Sequence, residues 1–341
     1  MGIKGFTKVF GHQGELKYKD FKGMTVAIDA MYQLYRTAHP FNTAGQSNLL
    51  APDGSITNHL NGLIALIFNL KKVGATQLWI FDNPTENHNS LKSIEQERRK
   101  SCKNIAAAKL KKIKDDELFS DSEDDTNPMA SHNDSNAKQI NKYERAAFTL
   151  DIYMIEDLKY ILHCLGVAWI EAPAGYEAEQ LAAYLTNKDI DNQRANIVLT
   201  TDIDCLLFGA KEMAKQDKQK FYKYTLQNIL DEYKINQDDL IKTGIALGCD
   251  FADKTPKVGV KTVLKRLPNI ELTAEQFKAF NYFKTPICSD SINKLKWNIG
   301  DVDPFADSKK NIELFEWLTQ AKGFNTTKMA SRFKAAAIHL H

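Results

Sequence analysis

Cysteine is scarce in this chain, with five in 341 residues. Cys102, Cys164, Cys205, Cys249 and Cys288 lie far apart, and no two form a CxxC pair. That spacing argues against a zinc ribbon or a disulfide framework and for a reducing compartment. Long apolar runs are also missing. The longest candidate, LNGLIALIFNL, falls well short of the ~20 residues of a membrane-spanning helix. No secretory h-region stands at the start. The opening MGIKGF carries Phe6 where a myristoylation signal needs Ser or Thr. No internal repeat occurs. These absences lead to the expectation of a soluble, intracellular protein with no membrane partner.

Positive charge is absent from one stretch. Residues 115–136 hold 8 acidic residues and no Lys or Arg, with few apolar side chains. Such composition predicts a mobile segment. Residues 1–114 show the reverse, 17 Lys/Arg against 8 Asp/Glu. A basic third suits a polyanionic partner, and solvated helix faces explain it equally well. The apolar share of 43% is ordinary for a chain that buries a sizeable core. The length fits one large α/β domain or two domains.

Strands and helices alternate in the pattern of residues. Met24–Asp29 (MTVAID) and Gln77–Phe81 (QLWIF) read as buried parallel strands, as do 167–170 and 196–200. A further strand is expected at 221–225. Helical runs follow at 30–38, 60–68, 91–114, 152–166 and 179–187, with shorter ones at 240–247 and 261–267. Alternation of this kind predicts an α/β fold, a mostly parallel central sheet flanked by helices on both faces. Ligands of such sheets bind beyond the carboxyl ends of the strands.

Acidic residues end or follow several of these runs: Asp29, Asp82, Glu177, Glu179, Asp202, Asp204 and Asp250. Any one of them reads more simply as a helix cap. Together, with no basic residue beside them, they predict a shared site at one sheet edge. Converging carboxylates repel one another unless a cation sits between them. Hard divalent ions prefer oxygen ligands, and a pair of them can clamp a phosphate. Asp202-x-Asp204 and Glu177-x-Glu179 would share a side in extended chain. On a regular helix the glutamates would diverge, so Glu177 is expected in a turn before the helix.

With these residues in place, the chain resembles the flap endonuclease/XPG family of structure-specific nucleases. The resemblance rests on MGIKGF with TVAIDA, LWIFD, EAPAGYEAEQLAAYL, LTTDIDCLLFGA and IALGCDFADKTPKVGVKTVLKRL, in that order up to about residue 267. It implies a PIN-like 5′ nuclease fold with a helical arch and a helix–two-turn–helix DNA-binding element. It implies the seven carboxylates as ligands of two Mg2+ ions, replaceable by Mn2+, with Asp29, Asp82 and Asp204 also counted as catalytic. Lys92 and Arg99 match the family's Lys-x6-Arg on the arch, where they hold the scissile phosphate. Lys103 lies one further turn along. Tyr35 matches an aromatic that stacks on the base beside the cut; a core tyrosine is the alternative. Gly259 and Lys261 fall in the turn that grips duplex DNA and often holds K+. An ordinary turn between helices is the alternative there.

Departures from the family pattern are specific. Lys257 stands for a glycine, Phe251 for a tyrosine and Asn83 for a glycine, and two extra residues separate Pro173 from Glu177. No clamp-binding glutamine–aliphatic–double-aromatic motif occurs, so a sliding clamp is not an expected partner. The implied division is an N-terminal nuclease region (1–105), an arch with a flexible acidic segment (106–140) and an internal nuclease region (141–235). A helix–two-turn–helix region (236–300) and a C-terminal helical tail (301–341) follow. The implied activity is metal-dependent 5′ nuclease action on 5′ flaps and branched DNA, with 5′–3′ exonuclease action, in replication, repair or recombination. The implied setting is a monomer in the nucleus or at another site of DNA replication. The alternatives are a 5′–3′ exoribonuclease of related fold and a catalytically inactive DNA-binding relative.

Overall fold

A computed structural model describes residues 3, 5–38, 48–83, 90–120, 139–140, 142–217, 220–298 and 304–338. Seven strands form one sheet: β1 (Gly14–Leu16), β2 (Thr25–Asp29), β3 (Thr76–Phe81), β4 (Ala168–Glu171), β5 (Ile197–Leu199), β6 (Glu212–Asp217) and β7 (Lys220–Thr225). Their spatial order is β1-β7-β6-β5-β2-β3-β4. The strands β6, β5, β2, β3 and β4 run parallel. β7 and β1 add an antiparallel margin. The sheet is therefore mixed, with the expected parallel centre.

The central strands are apolar along their length because both faces are covered. Val26, Ala27, Ile28, Leu78, Trp79 and Ile80 have no exposed surface. Two strands escaped the sequence reading. β1 is only three residues long. β6 (EMAKQD) reads as polar, yet Met213 and Ala214 are buried within it. Its pairing with β7 holds it as a strand despite that composition.

The helices are α1 (Phe6–Phe10), α2 (Ala30–Ala38), α3 (Asn58–Lys72), α4 (Ser90–Ser120), α5 (Ile152–Cys164), α6 (Ala178–Asn187) and α7 (Asp204–Leu207). They continue with α8 (Leu226–Tyr233), α9 (Gln237–Leu247), α10 (Val263–Arg266), α11 (Ala274–Lys284) and, after a single turn at Ser289–Ile292, α12 (Pro304–Glu316) and α13 (Thr326–Ala335). One face of the sheet packs on a core that includes α1, α6, α7, α9 and α11. The other packs on α2, α3, α5 and the tail helices α12 and α13. Phe333 of α13 is fully buried, edge-on to Phe68 at 5.0 Å and to Phe315 at 5.5 Å. The C-terminal tail is thus part of the second core.

The chain passes from β2 through β3 to β4 on one side, then returns to β5 on the other side of β2. That reversal opens a crevice at the carboxyl ends of β2 and β5, the place where such sheets bind ligands. α4 is a 31-residue helix, about 46 Å long at 1.5 Å per residue. It runs through the 105/106 boundary and into the acidic stretch, so 115–120 are helical rather than loose chain. The rest of that stretch, from 121, lies outside the described residues.

Candidate active site

Asp29 is the last residue of β2 and is buried. Its Oδ1 accepts the Tyr32 N–H at 2.9 Å, and its Oδ2 accepts the Thr200 hydroxyl at 3.2 Å. Asp82 follows β3, and its Oδ1 accepts the Ala178 N–H at 3.0 Å. That bond seats a carboxylate at the start of α6, where the helix dipole favours it. Glu177 is the N-cap of α6 with extended backbone (φ −98°, ψ 156°), and Glu179 lies in the first turn. The extra residues before Glu177 are taken up in the turn, and the glutamates still reach the site.

The Asp202–Asp204 pair departs from expectation. The two do not alternate along extended chain. Ile203 is helical (φ −71°, ψ −16°) and Asp204 begins α7. Asp202 Oδ1 accepts the Asp204 N–H at 3.1 Å. This local turn, which aspartate favours, brings both side chains to the same side. Asp250 follows a left-handed turn at Gly248 (φ 95°) after α9.

All seven carboxylates line one cavity of ≈ 130 Å³, together with Tyr32, Tyr35, Arg99, Thr201 and Phe251. Phe251 packs edge-on to Tyr282 at 4.8 Å, so an apolar ring backs the site. Burial pushes the Asp29 carboxyl up to about 7, and the charges of Asp82 and Asp202 add to it against the Tyr32 N–H. Burial, then neighbouring carboxylates, drive Glu179 and Asp204 well above the carboxylate range. Asp202 rises too, from burial and from Asp250. These shifts mark negative charge that wants a cation. Asp204 Oδ1 is buried with no hydrogen-bond partner. An all-oxygen donor set with such an orphaned acceptor fits hard divalent ions. Among the described residues no three acidic, His or Cys side chains already form a finished ligand group. Arg99 Nη2 donates to Asp250 Oδ2. Ligation by Asp250 requires that ion pair to open.

Arg99 reaches the cavity from α4, so a basic residue compensates the acidic set from far along the chain. Lys103, one turn on, donates from Nζ to the Tyr35 hydroxyl at 3.2 Å. Tyr35 lines the cavity with half-buried flanks and meets Phe148 edge-on at 6.3 Å. Lys92 is on α4, but its side chain lies outside the described residues.

The turn before α10 is tied down by its own hydrogen bonds. Its first N–H groups are not free for a ligand. The Val258 N–H donates to the Thr255 carbonyl at 3.2 Å, and the Gly259 N–H to Thr262 Oγ1 at 3.1 Å. The Gly259 carbonyl accepts the N–H groups of Thr262 and Val263, both at 2.9 Å. Thr262 is the N-cap residue of α10, and its hydroxyl ties back to Gly259 rather than to the helix. Lys257 takes the left-handed conformation (φ 59°) that a glycine there would adopt freely. Lys254, Lys257, Lys261, Lys265 and Arg266 are exposed along this segment. A Cβ on Gly5, whose φ is +85°, would come within 2.5 Å of Val260 Cγ2, so the start of α1 packs closely on the turn.

Tyr32, Thr200 and Thr201 belong to the site, and the sequence reading did not single them out. Nothing marks them: a threonine after a strand or a tyrosine in a helix is commonplace, and the Thr200–Asp29 bond crosses from β5 to β2.

The family model for the XPG N-terminal domain matches residues 1–106, and that for the XPG I-region matches residues 166–250. The two matches together span more than half of the chain. Flap endonuclease 1 of Nanoarchaeum equitans is 27% identical over 287 residues, covering 80% of this chain and 76% of its own. The structure of flap endonuclease-1 from Methanococcus jannaschii aligns with a TM-score of 0.68 at 20% identity, covering 98% of each chain. The catalytic core of Rad2 in complex with DNA substrate aligns with a TM-score of 0.65 at 15% identity, covering 98% of this chain and 100% of that one. At these identities the two structures establish a common fold.

Proposed function

This chain belongs to the flap endonuclease/XPG family, and from that premise we infer that it is a structure-specific 5′ nuclease hydrolysing phosphodiester bonds of DNA. The observation that carries the reading is the gathering of Asp29, Asp82, Glu177, Glu179, Asp202, Asp204 and Asp250 around one cavity that Arg99 also enters.

In this reading the seven carboxylates hold two divalent ions, Mg2+ with Mn2+ as a substitute. Such ions, when bound, supply an acidified water and charge to stabilise the departing 3′ oxygen. The protein's own groups do the rest. Asp29 is oriented through both of its oxygens, and Asp82 through Ala178, so the donors are fixed before substrate arrives. Arg99 and Lys92 hold the scissile phosphate and offset charge that develops on it. Arg99 leaves Asp250 to do so. Tyr35 offers its ring to the base beside the cut, a contact blind to sequence. Lys103, already on the Tyr35 hydroxyl, follows the backbone.

Lys261 and its exposed neighbours take duplex phosphates, which fixes register without reading sequence. K+ at the Gly259 turn belongs to this proposal, and a preference for K+ over Na+ in duplex binding tests it. The substrates are 5′ flaps and other branched DNA, with 5′ ends open to exonucleolytic trimming. The enzyme acts as a monomer at a site of DNA replication, repair or recombination.

The test is incubation with Mg2+ and labelled flap, nicked and gapped DNA, alongside single-stranded RNA. Cleavage of flap DNA near the branch is expected. Digestion of RNA alone would make the protein an exoribonuclease. Binding without cleavage of any substrate would make it an inactive relative.

A further inference from the structure

We propose that Thr200 is a positioning residue, its hydroxyl setting the orientation of Asp29 against the Asp202–Asp204 pair across the sheet's topological switch. The proposal rests on the reading that this cavity binds divalent ions. Thr200 follows β5 directly and has no exposed surface. Its Oγ1 donates to Asp29 Oδ2 at 3.2 Å and accepts the Asp202 N–H at 3.1 Å. A hydroxyl has one proton to give and lone pairs to receive, so both bonds coexist. Their polarity is fixed as well, because an N–H can only donate.

The position explains why such a link matters. β2 and β5 are paired neighbours up to Ile28 and Leu199. Beyond that pair the ladder ends. β2 turns into α2, and β5 turns into the Asp202 bend and α7. The carboxylates sit in this diverging region, where sheet hydrogen bonds no longer fix their separation. The Thr200 hydroxyl spans it. Its own backbone N–H is anchored on the Ala214 carbonyl at 3.3 Å, so the bridge stands on a third strand, β6.

Removing the hydroxyl frees Asp29 Oδ2 to rotate and leaves the Asp202 N–H without this acceptor. Valine removes it while keeping the side chain's shape and its fit to a strand end. Serine keeps it and drops only a methyl. Groups that orient metal ligands from behind change metal affinity by ~10–100-fold when lost.

The experiment is Mn2+ titration of the full chain by calorimetry, without DNA, for the wild type, Thr200→Val and Thr200→Ser, with a thermal melt of each. Thr200→Val is expected to bind Mn2+ about tenfold more weakly. Its half-saturating Mg2+ for flap cleavage should move in parallel, with KM for flap DNA unchanged. Thr200→Ser should return close to wild-type affinity. Should Thr200→Val melt too low to titrate, Thr200→Ala carries the same comparison with serine. Wild-type affinity in folded Thr200→Val overturns the proposal, and so does a folded Thr200→Ser as weak as valine. A wild type that binds no Mn2+ sinks the metal reading itself, a result distinct from either.

Discussion

Asp204 has one buried oxygen with no hydrogen-bond partner inside a cavity walled by six other carboxylates. An acceptor left in that state is costly unless something takes it up. Asp204→Ala should therefore lower single-turnover cleavage at least ~10³-fold, the scale of losing a main electrostatic contributor. Flap DNA affinity should hold, since the proposed duplex contacts are made by Lys261 and its exposed neighbours; a filter-binding measurement checks it. Asp29 makes a second prediction, about pH. Its folded pKa of about 7 lies above the ordinary value of 3.8. The folded state then binds this proton more tightly than the unfolded one. The stability that Asp29 contributes to the metal-free protein should be full below about 4 and be lost as pH rises to about 7. Added Mg2+ should raise Tm above that window far more than below it. Melting curves with and without Mg2+ across pH decide this, and a Mg2+ effect independent of pH would contradict it. At this scale the carboxylates were legible because each ends an apolar run. Thr200 was not, because its proposed role depends on a bond to Asp29, far away in sequence.

The element that matters most is α4. Arg99 and Lys103 sit one turn apart on it, and they touch Asp250 and Tyr35 respectively. The helix therefore lies against the acidic cavity through two polar contacts. In the proposed metal reading the closed Arg99–Asp250 pair competes with ion binding. Arg99→Ala should tighten Mn2+ binding severalfold in calorimetry without DNA, yet slow cleavage of saturating flap ~10²-fold or more through loss of phosphate stabilisation. Weakened Mn2+ binding in that variant would show that Arg99 does not compete. The turn before α10 offers another test. Gly5→Ala places a Cβ against Val260 in a backbone region that alanine rarely adopts. It should weaken duplex binding, read by fluorescence anisotropy, while leaving Mn2+ affinity unchanged. The residue pattern disclosed α2, α3 and the parallel strands β2, β3, β4 and β5 directly. It missed β6, whose strand state comes from pairing with β7 rather than from its own residues.

Across the whole molecule, one sheet divides two cores and carries the acidic cavity at its topological switch. The tail helices, chemically plain in sequence, close the second core through Phe333. Phe333→Ala should cost ~3–5 kcal/mol of stability in a denaturant melt. The tail's amphipathic pattern could not disclose which face it would cover, because its partners Phe68 and Phe315 lie on separate elements. The fold class and the order of carboxylates were legible because parallel strands must be apolar and their ends must meet. The central claim is that this meeting point cuts DNA at a branch. Its most direct test is product mapping on a 5′-labelled double-flap substrate with Mg2+, for the wild type and Asp204→Ala. The account predicts release of the 5′ flap by a cut close to the junction in the wild type, and no product in the variant. Equal product from both proteins, or none from the wild type, would contradict it.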